Sequence, residues 1–159
     1  MAKLVFGFGP KPARIMLIGE RPGAEEIKLG KPFVGRSGQF LTEEFEKIGI
    51  ARSELYITNV VKTYSEGNKP PTKQEIKKFL PILEKEIRDV KPKIIILLGN
   101  TATKVFLPEC STVKKCEPKD IKNILYFPMP HPGSVIRGYK KTVGAWGKAL
   151  ARLKEILNP

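Results

Sequence analysis

Cysteine and histidine are scarce in this sequence, and no long apolar run occurs in it. The 159 residues include two cysteines, Cys110 and Cys116, and one histidine, His131. Two cysteines are too few for a disulfide framework or a four-thiolate metal site, although they could close one local loop. No apolar stretch approaches the roughly 18 residues of a transmembrane helix, and residues 1–12 lack the apolar core of a signal peptide. We therefore expect an intracellular, cytoplasmic protein that does not associate with a membrane.

Acidic residues are also few relative to basic ones. Lysine and arginine total 29 against 16 acidic residues, which gives a formal net charge of +13. A field of this sign attracts phosphate backbones and favours release of their counterions. The charge therefore favours a nucleic-acid partner, and the alternative is a lysine-rich surface that is merely solvated.

Apolar periodicity predicts a single α/β domain over residues 1–159. Four apolar runs predict strands, at residues 14–18, 55–60, 93–98 and 124–128. Helical patterns alternate with them, at residues 37–48, 72–90, 101–106 and 143–157. Strands that alternate with helices form a parallel sheet covered on both faces. We expect a three-layer α/β/α sandwich with a central four-stranded parallel sheet.

Two strand exits carry residues suited to chemistry. The first predicted strand is followed by a turn between Gly19 and Gly23 that bears Glu20, and Glu26 lies just beyond it. The last predicted strand is followed by His131, which is flanked by prolines. Ligands of open parallel sheets bind where such exits face each other. A carboxylate and the histidine could meet over one substrate there, although a turn that only connects two elements and a structural histidine remain alternatives.

Two further residues are candidates for binding a flat ligand. Phe33 lies in a stiff segment between Gly30 and Gly35, where its ring could stack on a ligand or anchor the loop in the core. Asn59 ends the second predicted strand. Its amide offers an acceptor and two donors, enough to bind the edge of a base, or it could cap its own turn.

Five segments together resemble the uracil-DNA glycosylase superfamily, most closely its family 4. Gly-Glu-Arg-Pro-Gly-Ala-Glu-Glu at 19–26 is similar to the family's first motif, and His-Pro-Gly-Ser-Val-Ile-Arg at 131–137 is similar to its second. Three other segments, at residues 30–38, 58–62 and 98–102, resemble further motifs in the same order. The resemblance covers about residues 14–157.

The resemblance implies roles in base recognition and catalysis. Phe33 would stack on a uracil flipped out of the duplex, and Asn59 would hydrogen-bond its O4 and N3–H. His131 and backbone N–H groups near Glu20 and Arg21 would stabilise the charge that develops on uracil O2. Glu26 would orient water or stabilise the positive charge of the sugar.

The resemblance also implies a DNA-binding face. Ile136 and Arg137 would enter the duplex or clamp its backbone. Ser134 belongs to the same motif, and Asn68 lies in a basic loop where the family has an asparagine. Arg21 occupies a position that is usually small in family 4, where it could grip a phosphate or reshape the base pocket.

The cofactor expectation rests on a departure from the family. Family 4 holds an iron–sulfur cluster on four cysteines. In this sequence Thr63, directly after the segment at residues 58–62, stands at the family's third cysteine position, and Phe79 stands at the fourth. The family's N-terminal cysteine pair is absent. We therefore predict no cofactor, with the iron–sulfur cluster absent, and no metal site.

The resulting prediction is a DNA-repair glycosylase that excises uracil from DNA by hydrolysing the N-glycosidic bond and leaves an abasic site. Its partner would be DNA that contains uracil or another deaminated base, and we expect a monomer from a prokaryote or archaeon, with a thermophilic source. One alternative is a protein that binds uracil-containing or damaged DNA with little or no turnover. Another is a glycosylase for other deaminated bases or mismatches. An unrelated nucleotide-binding α/β protein is disfavoured because no phosphate loop is present.

Overall fold

The core of the molecule is a five-stranded sheet built from the apolar runs of the sequence. The computed structural model describes residues 3–159, and the first two residues lie outside the described part. The strands are β1 (Ile15–Gly19), β2 (Leu55–Asn59), β3 (Ile94–Leu98), β4 (Lys119–Ile121) and β5 (Ile124–Met129). Their order across the sheet is β2-β1-β3-β5-β4. All residues of β1, β2 and β3 are buried, as expected for strands covered on both faces.

The sheet differs from the predicted four parallel strands by one additional edge strand. The four predicted strands are parallel to one another, and β4 pairs antiparallel with β5. The turn that joins β4 to β5 places Lys122 and Asn123 at φ values of 52° and 68°. Two positive φ values are typical of a tight hairpin turn. The sequence gives no signal for β4 because it has three residues and its Lys119 and Asp120 are exposed.

Six α-helices surround the sheet. They are α1 (Ala24–Leu29), α2 (Arg36–Lys47), α3 (Lys73–Val90), α4 (Asn100–Phe106), α5 (Pro132–Ile136) and α6 (Lys140–Leu157). The capping box at the start of α3 is present: Glu75 N donates to Thr72 Oγ1 over 3.1 Å, and Thr72 N donates to Glu75 Oε1 over 3.1 Å. Helices α1 and α5 are not indicated by the sequence pattern, since helices of six and five residues are too short for an apolar periodicity.

Helices cover both faces of the sheet and bury a core on each. On one face, Phe45 of α2 and Trp146 of α6 pack against Leu17 and its neighbours. On the other face, Leu83 of α3 and Ala102 of α4 belong to the second core. The predicted three-layer α/β/α architecture is confirmed.

The carboxyl ends of the four parallel strands lie along one edge of the sheet. Gly19 of β1 is in register with Asn59 of β2, and Leu98 of β3 with Met129 of β5. The segments that follow these strands are the ones that the sequence singles out for chemistry. Among the described residues, no helix has the length and apolarity needed to cross a membrane.

Candidate active site

A cleft of about 780 Å³ opens at the carboxyl ends of the parallel strands. The predicted site residues that line it are Glu20, Arg21, Glu26, Phe33, Asn59, Asn68, His131, Ser134 and Arg137. Ile136 is the one predicted site residue that does not line the cleft. The structure therefore brings residues from five separate segments of the chain to one place.

Asn59 lies at the floor of the cleft with an unpaired amide oxygen. The residue is 2% exposed, and its Oδ1 has no hydrogen-bond partner among residues 3–159. A buried polar atom without a partner is costly, which makes it a marker of a binding site. Gly19 allows this approach: a Cβ there would lie 2.5 Å from Asn59 Oδ1 and 2.6 Å from Phe33 Cζ.

Phe33 is fixed in a conformation that few residues other than glycine adopt. Its φ is 51°, and its side chain is buried against the same wall of the cleft as Asn59. The guanidinium of Arg52 donates to the carbonyl oxygens of Phe33 and Pro32, which holds the segment in place. Gly38 of α2 packs so closely on Phe33 O that a Cβ would overlap it. Strained backbone of this kind persists where the surroundings over-determine it, often at functional sites.

Glu26 ties the Phe33 segment to the turn after β1. Its Oε2 accepts hydrogen bonds from Val34 N at 2.9 Å and Gly35 N at 2.7 Å, and its Oε1 accepts one from Gly23 N at 3.0 Å. Three backbone N–H groups therefore occupy most of the accepting capacity of the carboxylate. The predicted catalytic role of Glu26 stays a prediction, and the geometry adds a positioning role to it.

His131 caps α5 and presents one nitrogen for other contacts. Gly133 N donates to His131 Nδ1 over 3.0 Å, so the proton of the neutral imidazole resides on Nε2. Burial, assisted by the positive charge of Arg137, lowers the pKa of His131 to about 4. The ring lies 5.9 Å from that of Phe33, between centroids. His131 is therefore a neutral donor at physiological pH.

Gly99 provides the space that His131 needs at the end of β3. A Cβ on Gly99 would lie 3.1 Å from His131 Cβ, and the φ of Gly99 is 89°. Nearby, Thr101 Oγ1 donates to Glu20 Oε2 over 2.7 Å. The segment after β3 thus supports both the histidine and the carboxylate of the first motif.

The guanidinium of Arg21 is buried and paired with protein groups. The side chain is 2% exposed and forms an ion pair of 2.8 Å with Glu75. It also donates to the carbonyl oxygens of Thr63 and Lys69. The guanidinium is buried and directs four of its five N–H groups to protein acceptors, which does not favour the suggestion that this arginine grips a phosphate.

The rim of the cleft is basic. Arg36, Lys114 and Arg137 line it and are exposed. Lys114 belongs to a short turn inside a loop that the Cys110–Cys116 disulfide closes. Val113 of this loop donates its backbone N–H to Asn100 Oδ1 at the start of α4, over 2.8 Å.

Some of these supporting residues escape sequence reasoning. Arg52 and Lys114 lie outside the quoted motifs, and they reach the site only because the chain folds. Thr101, which donates to Glu20, lies inside the quoted segment at residues 98–102, at a position that the motif leaves unspecified, and this is the one signal that could have found it.

Comparison with known proteins connects this geometry to one family. A family model described as the uracil DNA glycosylase superfamily matches residues 6–157. The chain belongs to the uracil DNA glycosylase superfamily. The motif resemblance seen in the sequence is thereby confirmed.

Several relatives of this superfamily member are type-4 uracil-DNA glycosylases. The protein of Sulfurisphaera tokodaii is 37% identical over 141 residues, which are 82% of this chain and 64% of the relative. That of Pyrobaculum aerophilum is 41% identical over 101 residues, 64% of this chain and 52% of the relative. That of Archaeoglobus fulgidus is 33% identical over 140 residues, 82% of this chain and 70% of the relative. The match to the first two thus spans between half and two thirds of their length, and the expected thermophilic source fits these organisms.

The predicted absence of a cofactor is contradicted by these comparisons. The relatives are type-4 uracil-DNA glycosylases, and that family contains an iron–sulfur cluster. The prediction rested on Thr63 and Phe79 at two cysteine positions and on the missing cysteine pair, and the type-4 relatives overturn it. In the described part of the chain, however, both cysteines are consumed by one disulfide, and no three metal-ligating side chains cluster together. These residues do not fit a cluster held by thiolates, and no step below is routed through one.

Proposed function

We propose that this chain is a uracil-DNA glycosylase, which hydrolyses the N-glycosidic bond of deoxyuridine in DNA to release uracil and leave an abasic site. The observation that carries the proposal is the buried, unpartnered Oδ1 of Asn59 beside the Phe33 ring, in a cleft that also contains His131. The type-4 names of the relatives support the same activity.

Asn59 would select the base. Its Oδ1 would accept from uracil N3–H, and its amide nitrogen would donate to uracil O4. Cytosine presents the reverse pattern, an acceptor at N3 and a donor at the neighbouring position, so it would leave both groups of Asn59 unpaired. Phe33 would stack on the flipped base, and a duplex base must leave its stack to reach this depth.

The departing base would be stabilised by neutral donors. His131 Nε2–H would donate to uracil O2 as negative charge develops there, together with backbone N–H groups near Glu20 and Arg21. Glu26 would stabilise the positive charge of the sugar, as carboxylates do in other oxocarbenium-like reactions. Its bonds to Val34 and Gly35 would keep Phe33 in place at the same time.

The basic rim would bind the DNA backbone. Asn68, Ser134, Ile136 and Arg137 would contact the strand around the flipped nucleotide, and the net charge of +13 would supply affinity for phosphates. We propose that the protein acts as a monomer on DNA inside the cell.

The activity is tested directly with labelled oligonucleotides that carry U, T, hypoxanthine or xanthine, incubated under single-turnover conditions and then treated with alkali to break abasic sites. We expect cleavage at U. Tight binding of the uracil strand without any alkali-labile site, across pH and temperature, would instead favour the binding protein. Cleavage confined to another base would favour a glycosylase of different specificity.

Asn59→Ala should lower the single-turnover rate on uracil by about 5- to 150-fold, since a good base-edge pair contributes roughly 1–3 kcal/mol of discrimination. Asn100→Ala is the matched control, because this second cleft asparagine already accepts from Val113 N. Asn100→Ala should lower the single-turnover rate by less than Asn59→Ala does. Equal rates for the two variants would exclude Asn59 as the residue that binds the base.

Arg137→Ala and Lys114→Ala should each weaken binding to undamaged duplex and reduce the slope of log affinity against log salt by about 1. Both side chains lie on the rim of the cleft. Lys154→Ala, an exposed position on α6 away from the cleft, serves as the control. If all three variants shift the slope equally, the proposed DNA face is incorrect.

A further inference from the structure

The buried guanidinium of Arg21 joins the turn after β1 to the loop of residues 63–71, which also contributes to the cleft. Arg21 Nε donates to Thr63 O at 3.1 Å, and Nη1 donates to Lys69 O at 3.0 Å. Nη2 donates to Glu75 Oε2 at 2.8 Å and lies 3.4 Å from Thr63 Oγ1. The acceptors are Thr63 at the start of the loop of residues 63–71, Lys69 in its second half and Glu75 on the first turn of α3.

This loop has little else to hold it in place. Residues 66–70 are all exposed, so burial does not fix their conformation. Within the loop, Gly67 and Asn68 have φ values of 75° and 53°, in the left-handed region. Asn68 nevertheless lines the cleft. The position of its side chain therefore depends on what fixes the two ends of the loop.

We propose that Arg21 is a positioning residue that holds the 63–71 loop over the cleft and thereby sets where Asn68 meets the flipped nucleotide. This inference rests on the proposed function, because it assigns Asn68 a contact with that nucleotide. The guanidinium of Arg21 touches neither the base nor the phosphates.

The chemistry of the contact explains why an arginine is needed. The planar guanidinium presents donors in a rigid fork, and here it reaches two carbonyl oxygens and a carboxylate that lie in different directions. A lysine ammonium at the end of a flexible stem does not reproduce this arrangement. Hydrogen bonds from Thr72 and from Arg21 lower the pKa of Glu75, so the carboxylate partner is ionised at neutral pH.

A double-mutant cycle tests whether Arg21 acts through Asn68. We expect Arg21→Met to lower the single-turnover rate on a uracil oligonucleotide by roughly tenfold, within the range that coupled residues of one network show. In an Asn68→Ala background the same change should lower the rate by less than about twofold. In a Phe33→Ala background it should keep its full effect, since Phe33 is held by Arg52 instead. An undiminished effect of Arg21→Met in the Asn68→Ala background would overturn the proposal.

Two conservative variants guard against simple unfolding. Arg21→Lys should not restore the rate, because the fork geometry is lost. Glu75→Gln keeps an oxygen acceptor and removes its charge, so it should give a rate between those of wild type and Arg21→Met. A Glu75→Gln rate equal to wild type, together with full rescue by Arg21→Lys, would contradict the proposed contact.

Hydrogen exchange gives a readout that does not depend on activity. Backbone amides of residues 63–71 should exchange faster in Arg21→Met than in wild type, while those of β3 stay protected. If wild type excises no uracil but the exchange result is as expected, the proposed function fails and the loop contact stands. If wild type excises uracil and loop exchange is unchanged in Arg21→Met, the proposed function stands and this inference fails.

Discussion

Replacing His131 with alanine should lower the single-turnover rate of uracil excision on the order of a hundredfold or more, the loss seen when a preorganised oxyanion donor is removed. Binding of the uracil strand should change much less, because the hydrogen bond to O2 strengthens mainly in the transition state. Rate and dissociation constants measured on the same oligonucleotide separate the two effects.

His131→Asn is the matched control for this variant. Its amide oxygen can accept from Gly133 N, as Nδ1 does in the wild type, while its nitrogen retains a donor. We expect it to recover part of the lost rate. A rate for His131→Ala within twofold of wild type would remove His131 from the mechanism.

The pH dependence follows from the lowered pKa of His131. Since that pKa is about 4 in the folded protein and 6.5 ordinarily, the histidine is neutral across the physiological range, and it contributes no inflection in rate between pH 6 and 8. As the pH falls below 6.5, His131 is protonated in the unfolded chain before it is protonated in the folded protein. The contribution of this histidine to stability is therefore complete above about pH 6.5 and is lost as the pH falls towards 4. Denaturation of wild type and His131→Asn should show that the free energy of unfolding decreases more between pH 7 and pH 5 in the wild type than in the variant.

The strands and the location of the site could be predicted from the sequence because both depend on local pattern. The run at residues 94–98 is apolar throughout and buried on both faces, and its ends match the structure to within a residue. The chemistry-bearing residues Glu20, Asn59 and His131 follow strand ends, and parallel topology alone brings such ends together.

The contacts that orient the site could not be predicted, because they join segments far apart in the chain. Nothing local to Arg21 indicates that its partners are Thr63, Lys69 and Glu75. The three backbone partners of Glu26 likewise require the turn after β1 and the Phe33 segment to fold against each other. The Cys110–Cys116 disulfide is likewise not determined by the sequence, since the spacing of two cysteines does not fix the geometry of the loop between them.

A buried lysine is the clearest case of a residue whose role emerges only from packing. Lys62 follows two valines in the sequence, where it could equally well point to solvent. In the structure it is completely buried, and its Nζ donates to Glu86 Oε1 at 2.6 Å, to Thr58 Oγ1 at 2.7 Å and to Asn59 O at 2.6 Å. All three of its donors are used, and one of them fixes the backbone of the residue proposed to bind the base.

Lys62→Ala should lower the free energy of unfolding by about 3–5 kcal/mol, the cost of leaving one member of a buried ion pair unpaired. The unpaired group would be Glu86, which is 7% exposed. Lys85→Ala is the control on the same helix as Glu86, because Lys85 pairs with Asp89 on the exposed surface at 2.6 Å. An exposed pair of this kind contributes little to stability, because solvent screens it. Urea denaturation measures the free energy of unfolding of both variants. Similar decreases for Lys62→Ala and Lys85→Ala would mean that the buried pair does not stabilise the fold.

The double variant Lys62→Met/Glu86→Gln separates stability from positioning. Because it leaves no buried charge unpaired, it should recover much of the stability that Lys62→Ala loses. It still removes the donor that holds Asn59 O. If the pair serves to position Asn59, uracil excision should stay slow in the double variant after stability has returned. If excision recovers together with stability, the pair acts on the fold alone, and Asn59 is held by β2 without it.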